Sequence, residues 1–287
     1  MTRGYTLGLY EKSMPGDLGW KDKLEAAKKA GFDFVEMSID ETDEKIRRLD
    51  MSQAERLEMV SLMKIVGLPV RTMCLSGHRK YPLGSSDPEV RAKGMEMMEK
   101  AIQLADDLGI RIIQLAGYDV YYEKSNEETR SYFVENLKKA AELAARAGVV
   151  LGFETMETEF MNTVQKSMEY VNLVSSTYLN VYPDIGNITN ATKAYGTDPF
   201  EDLRAGKGHL AAMHLKETTP GVFREVPFGK GHVDFERAIQ TAWELGVRKF
   251  VAEFWYKGSG EWMKELVDTN DRMRKILDIQ DQNEKPR

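Results

Sequence analysis

The stretch ARAGVVLGFE, Ala145–Glu154, holds the argument for the fold. A segment of helical period, ETRSYFVENLKKAAELAARA, runs into Gly148, and an apolar run follows at once and stops at a carboxylate. Glycine suits the left-handed conformation just past a helix C-terminus, so the stretch reads as a helix-to-strand turn. The same junction recurs as KKAGFDFVEM, KIVGLPVRTM, DDLGIRIIQL and WELGVRKFVAEF. Gly31, Gly67, Gly109 and Gly148 lie 36 to 42 residues apart. Each interval can hold one strand and one helix, a unit of roughly 30 residues or more.

Filling the intervals predicts eight strands, at 6–10, 34–40, 70–76, 111–117, 149–155, 179–185, 210–216 and 249–255, separated by amphipathic helical segments. Continuous apolar strands alternating with helices imply a parallel sheet covered by helices, and eight such units imply an α/β fold of the closed (βα)8 TIM barrel type. A doubly wound open sheet is the rival reading. No linker rich in Pro, Gly or Ser divides the 287 residues, so a single domain over 1–287 is expected, with 277–287 as a loose C-terminal tail.

The composition, 42% hydrophobic and 30% charged, is that of a soluble globular chain with material for a large core. A net charge of -6 argues against nucleic acid as partner, because phosphate backbones are met by basic faces. One cysteine, Cys74, excludes both an intramolecular disulfide and a thiolate zinc cluster. No apolar leader and no twenty-residue apolar span is visible, which predicts a cytoplasmic protein with no membrane partner.

In such a barrel the active site lies at the C-terminal ends of the strands. Strand five ends at Glu154, strand six reaches Asp184, strand seven presents His214, and strand eight presents Glu253. Singly, an acid at a strand end ordinarily caps a helix, and a lone strand histidine is ordinarily a satisfied core residue. Four ligand-type side chains on four successive strands at matching depth favour a metal, since converging carboxylates repel one another and lose hydration unless a cation compensates them. Oxygen-rich ligation with one imidazole suits Mn²⁺, Zn²⁺, Co²⁺ or Mg²⁺ and leaves positions open for substrate oxygens.

Substrate contacts are expected from several further residues. Lys216, two positions after His214, turns to the same side of its strand and either meets a substrate oxygen or pairs with an acid. Glu36 on the second strand either bonds substrate or satisfies a partner inside the barrel, and Asn187 either contacts ligand or shapes the turn after Asp184. His78, Arg79 and Lys80 make a basic knot after strand three, and Arg224 and Lys230 lie in the Gly-rich loop after strand seven. Either group could hold a phosphate. No GxxxxGK[ST] motif occurs, so nucleotide hydrolysis has no support.

A metal chelating a carbonyl and the adjacent hydroxyl eases removal of the proton between them by stabilising an enediolate. Glu154 and Glu253 flank Asp184 and His214, as two acid/bases on opposite faces of that plane would require for inversion. A single base acting between C1 and C2 would give an aldose-ketose isomerase instead, on a substrate such as a hexulose 6-phosphate.

The stretches CLSGHRKYPLGS, IQLAGYDVYYE, FETMETEFMN, VYPDIGN, HLKE with PGVFREVPFGKG, and EFW resemble the L-ribulose-5-phosphate 3-epimerase family of bacterial L-ascorbate utilisation, also called L-xylulose-5-phosphate 3-epimerases. The similarity runs from LGLYEKSMP to the last strand. It implies a (βα)8 barrel interconverting the two ketopentose 5-phosphates at C3 with a divalent metal on Glu154, Asp184, His214 and Glu253, the glutamates also serving as acid and base. By analogy with similar barrels, a homodimer is expected. The chain departs from the ketohexose 3-epimerase pattern, in which a histidine follows the aspartate ligand by three residues and a glutamate follows the first glutamate by six. Asn187 and Phe160 stand there, so a free ketohexose is disfavoured as substrate. Two other classes compete. A barrel endonuclease would need more metal ligands than this chain offers, and a non-catalytic sugar binder would have no use for opposed carboxylates.

Overall fold

The computed structural model describes residues 3–284. Eight strands alternate with helices: β1 Thr6–Tyr10, β2 Phe34–Ile39, β3 Val70–Leu75, β4 Ile112–Ala116, β5 Val150–Glu154, β6 Leu179–Tyr182, β7 Met213–Leu215 and β8 Lys249–Ala252. The helices are α1 Trp20–Lys29, α2 Asp43–Ile46, α3 Gln53–Val66, α4 Pro88–Leu108, α5 Glu127–Ala147, α6 Val164–Val174, α7 Ile185–Tyr195, α8 Pro199–Ala205, α9 Phe235–Glu244 and α10 Trp262–Glu284. All strand pairs are parallel, in the order β6-β5-β4-β3-β2-β1-β8-β7. Among the described residues the ends of this sheet meet through isolated bridges, Val181↔Leu210 and Asp184↔His214, so the TIM barrel is closed by a thin seam between β6 and β7.

The junction glycines do what their spacing predicts. Gly148 ends α5 with φ 65° and ψ 30°, a left-handed position that a Cβ would strain. Starts are equally local: Ser52 and Glu55 form a reciprocal capping box on α3, and Asn126 and Thr129 form one on α5.

The period of two along each strand sorts residues into two layers. Leu7, Leu9, Val35, Met37, Met73, Leu75, Ile113, Leu151, Phe153, Met213 and Phe250 face outward and join the helices in the main hydrophobic core. The barrel interior holds Tyr10, Phe34, Cys74, Ile112, Tyr182 and Val251 as a separate cluster. Gly8 belongs to this interior because a Cβ there would lie 2.3 Å from the Phe34 ring. Above that apolar floor the interior turns polar: Glu36, Thr72, Gln114 and His214 are all fully buried.

The loose tail expected at 277–287 is corrected as far as Glu284, the last described residue. α10 continues through it because Leu266, Met273 and Leu277 form a buried stripe, and Gly4 N donates to Asp281 Oδ1 at 2.9 Å. Residues 285–287 of the expected tail lie outside the described residues.

Candidate active site

The four residues expected as ligands converge. Glu154, Asp184, His214 and Glu253 are buried and each offers a ligand atom within 4.8 Å of the others. Glu154 is the last residue of β5, whereas Asp184 and Glu253 sit just beyond β6 and β8. Pro183 has no N–H with which to continue β6, and Asp184 becomes the N-cap of α7, its Oδ1 accepting from Asn187 N at 2.9 Å. The helix-cap reading and the ligand reading are therefore both served by one side chain, because Oδ2 is left over. Oδ2 is buried and paired with Lys216 Nζ at 2.6 Å.

His214 Nδ1 points into the carboxylates, 3.0 Å from Glu253 Oε2 and 3.8 Å from Glu154 Oε1. Its Nε2 lies 2.6 Å from Glu36 Oε1. Lys216 Nζ is also 3.6 Å from Glu253 Oε2, so one ammonium bridges two of the acids. Four buried carboxylates, counting Glu36, thus face one lysine and one imidazole. The charges show it. Burial and the neighbouring Glu253 push Glu154 up, and burial pushes Asp184 well up despite Lys216. Burial also raises Glu253, but Lys216 and His214 more than offset it and hold that carboxyl well below the usual range. His214 is raised well above its ordinary value: burial opposes its charge, but Glu36 and Glu253 prevail. Surplus negative charge and an oxygen-rich donor set with one imidazole are what a divalent cation fits.

Above the cluster opens a cavity of ≈ 150 Å³. Its walls include Tyr10, Cys74, Glu154, Lys216, Glu253 and Trp255, and its mouth carries Lys12, Arg79 and Arg224. Each mouth cation has an acid or aromatic partner: Lys12 Nζ is 2.5 Å from Asp40 Oδ2, Arg79 stacks over Tyr121 with its carbon 4.5 Å from the centroid, and Arg224 donates to Glu157 Oε1 at 2.9 Å. Lys12 is held up by its neighbour Glu11, which is buried against Lys23, Lys45 and Arg48 and accepts from Ser38 N at 2.8 Å. Burial raises the Glu11 carboxyl, but Arg48 and the two lysines outweigh it and keep it well below the usual range.

Of the other residues expected to meet substrate, Lys216, Arg79 and Arg224 line the cavity, and Glu36, Asn187, His78, Lys80 and Lys230 do not. Glu36 is below it, bonded to His214 and to Tyr182 Oη at 2.9 Å, so its role inside the barrel is the one realised. Asn187 is buried in the first turn of α7, where its Nδ2 donates to Thr155 O at 2.7 Å; it supports Asp184. His78 is turned inward by the short helical turn Ser76–Arg79 and its Nε2 lies 3.1 Å from Gly94 O, while the next residue, Arg79, faces the cavity. Lys80 pairs with Asp43 at 2.7 Å on the surface. Phe160 packs edge-on to Phe133 at 5.8 Å, with no polar function. Sequence reasoning missed Lys12, Trp255 and Glu157. The last of these holds Arg224.

Burial lowers the His78 imidazole to about 4. Its folded-state pKa lies below the unfolded value, so the unfolded chain binds the extra proton first. Stability from this residue is complete above pH 6.5 and is lost as pH falls towards 4, a loss of about 3 kcal/mol at 1.36 kcal/mol per unit. Urea midpoints between pH 7 and pH 4 should fall more steeply for the native chain than for His78→Gln; parallel slopes would refute the assignment.

Comparison with known proteins places this geometry. The family described as xylose isomerase-like TIM barrel matches residues 24–276. The chain is 46% identical over 272 residues to the L-ribulose-5-phosphate 3-epimerase UlaE of Shigella boydii serotype 18, covering 94% of each chain. The UlaE of Escherichia coli strain SMS-3-5 gives the same identity and coverage. Among solved structures, D-psicose 3-epimerase from Clostridium cellulolyticum H10 superposes with a TM-score of 0.80 at 18% identity, over 95% of this chain and 99% of that one. An L-ribulose 3-epimerase superposes with a TM-score of 0.78 at 19% identity, over 98% and 100%.

Proposed function

We propose, from the premise that the chain belongs to the xylose isomerase-like TIM barrels and within them to the L-ribulose-5-phosphate 3-epimerases, that it is an isomerase inverting C3 of a ketopentose 5-phosphate, converting L-xylulose 5-phosphate to L-ribulose 5-phosphate. The observation that carries the chemistry is the pair of glutamates, from β5 and β8, on either flank of Asp184 and His214 at the floor of one cavity.

Glu154, Asp184, His214 and Glu253 would hold the cation, with Mn²⁺, Zn²⁺, Co²⁺ and Mg²⁺ all compatible with the donor set. When bound, such an ion draws electron density from the ketose carbonyl and its neighbouring hydroxyl and so eases loss of the C3 proton. One glutamate accepts that proton as the C3–H bond breaks, and the other delivers a proton to the opposite face as the new C–H bond forms. Lys216, tethered to Asp184 and Glu253, sets an ammonium beside the reacting oxygens. Tyr10 and Trp255, ring centroids 6.1 Å apart, wall the cavity against water. Arg79, Arg224 and Lys12 at the mouth supply cationic donors for the 5-phosphate, Arg being suited to it by its fork of N–H groups. Among the described residues no helix is long and apolar enough to cross a membrane. A homodimer and a cytoplasmic setting complete the proposal, with the whole chain as one domain.

The test is proton NMR of L-xylulose 5-phosphate in deuterium oxide with the protein and added Mn²⁺ or Zn²⁺. Deuterium should enter at C3 as the epimer accumulates. Exchange confined to C1 would transfer the chain to the aldose-ketose isomerases, and no exchange at either carbon would leave only a binder.

A further inference from the structure

We infer that Glu36, backed by Tyr182, is a positioning residue that fixes the tautomer of His214 and turns its Nδ1 lone pair into the carboxylate cluster, an inference resting on the reading of that cluster as a cation site. A neutral imidazole has one N–H and one lone pair, and its surroundings decide which nitrogen carries which. On one side, Glu36 Oε1 stands 2.6 Å from Nε2, a short, charge-assisted contact that demands a proton between them. On the other, Nδ1 faces Gln114 Nε2 at 3.3 Å, which can donate to it, and Glu253 Oε2 at 3.0 Å, a carboxylate that only a proton or a cation on Nδ1 would reconcile with the ring. Both ring nitrogens thus face carboxylates; with a cation taking the Nδ1 lone pair among the cluster acids, the one remaining proton belongs on Nε2, where Glu36 accepts it.

The acceptor is itself held. Tyr182 Oη donates to Glu36 Oε2 at 2.9 Å, so both oxygens of Glu36 are engaged and its plane is fixed. The Tyr182 ring also packs against the His214 ring, centroids 4.9 Å apart and planes at 65°. Glu36, Tyr182 and His214 are all fully buried, so water does not compete for these bonds. Strand β2 is thereby joined through the barrel interior to β6 and β7, which flank the seam, at the height of the site. Outer partners of this type commonly govern metal affinity by 10- to 100-fold.

The experiment measures Mn²⁺ affinity by competition with a fluorescent chelator, on the native chain and on Glu36→Gln, Tyr182→Phe and the double variant. Melting curves of the chelated proteins establish that each is folded. Glu36→Gln should bind Mn²⁺ about 10- to 100-fold more weakly. Tyr182→Phe should lose a few-fold, and the double variant no more than Glu36→Gln alone, because Tyr182 acts through Glu36. Nitrogen-15 NMR of the Zn²⁺-loaded native protein should show His214 protonated at Nε2 and ligated at Nδ1. A folded Glu36→Gln with native Mn²⁺ affinity, or ligation at Nε2, overturns the inference; should Glu36→Gln fail to fold, the native spectrum and Tyr182→Phe decide it. No substrate enters these measurements, so failure of C3 exchange leaves them standing. A native chain that binds no Mn²⁺ or Zn²⁺ brings down this inference and the cation reading together.

Discussion

Glutamine in place of Glu154 or Glu253 is expected to slow epimerisation by about 10²- to 10⁴-fold, the range that a positioned acid or base contributes. The change preserves shape and removes the proton-carrying oxygen. On the proposal that the two acids serve opposite faces, the losses should also be lopsided. Each variant should still exchange the C3 proton of one epimer with solvent and fail with the other, since only the acid facing that proton remains. Measured at saturating Mn²⁺, so that weakened ligation does not intervene, deuterium wash-in from each epimer separately reads this directly. Equal exchange from both epimers in both variants would abolish the two-sided mechanism, and unchanged affinity for substrate with no chemistry to lose would return the chain to the binders.

Removal of the cation should have the second large effect. Dialysis against a chelator is expected to abolish activity and to lower the melting temperature, with both restored by a divalent ion. An ion at 100 times its dissociation constant stabilises the folded state by about 2.7 kcal/mol. For a chain of this size each kcal/mol moves the melting point by roughly 2–4 °C, so the shift is about 5–10 °C. The direction follows from the site, where Glu154 and Asp184 are both pushed upward by burial with too few positive neighbours. Asp184→Asn should shrink the shift, having lost the charge at Oδ2. Identical melting and identical activity before and after chelation would dispose of the cation site.

The barrel and its four convergent side chains were legible in the sequence because both rest on local rules. The glycine junctions mark where helices stop, and the ends of consecutive parallel strands must share a rim. What was not legible depends on direction. His78 and Arg79 are adjacent in sequence, yet one is sealed against Gly94 O and the other faces the cavity, and only the short helical turn between them decides which. Glu36 could be narrowed to two roles but not placed, since a residue 178 positions away supplies its partner. Lys12 passed unnoticed because its place at the mouth depends on the buried Glu11 beside it, a three-cation arrangement that no spacing announces. The polar end of α10 looked solvated, and its buried stripe is visible only against the helices it covers.

The thin seam between β6 and β7 bears on the proposed cation site. Asp184 and His214 form one of its closing bridges and are two of the four proposed ligands, so their strands meet through a few backbone contacts, His214 N to Pro183 O at 2.9 Å among them, and not through a continuous ladder. Such a boundary can widen or narrow by small amounts without breaking other strand pairs. On the cation reading, the spacing of the proposed ligands would follow ionic radius, and binding of several divalent ions is the expected result of where the barrel was left least stitched.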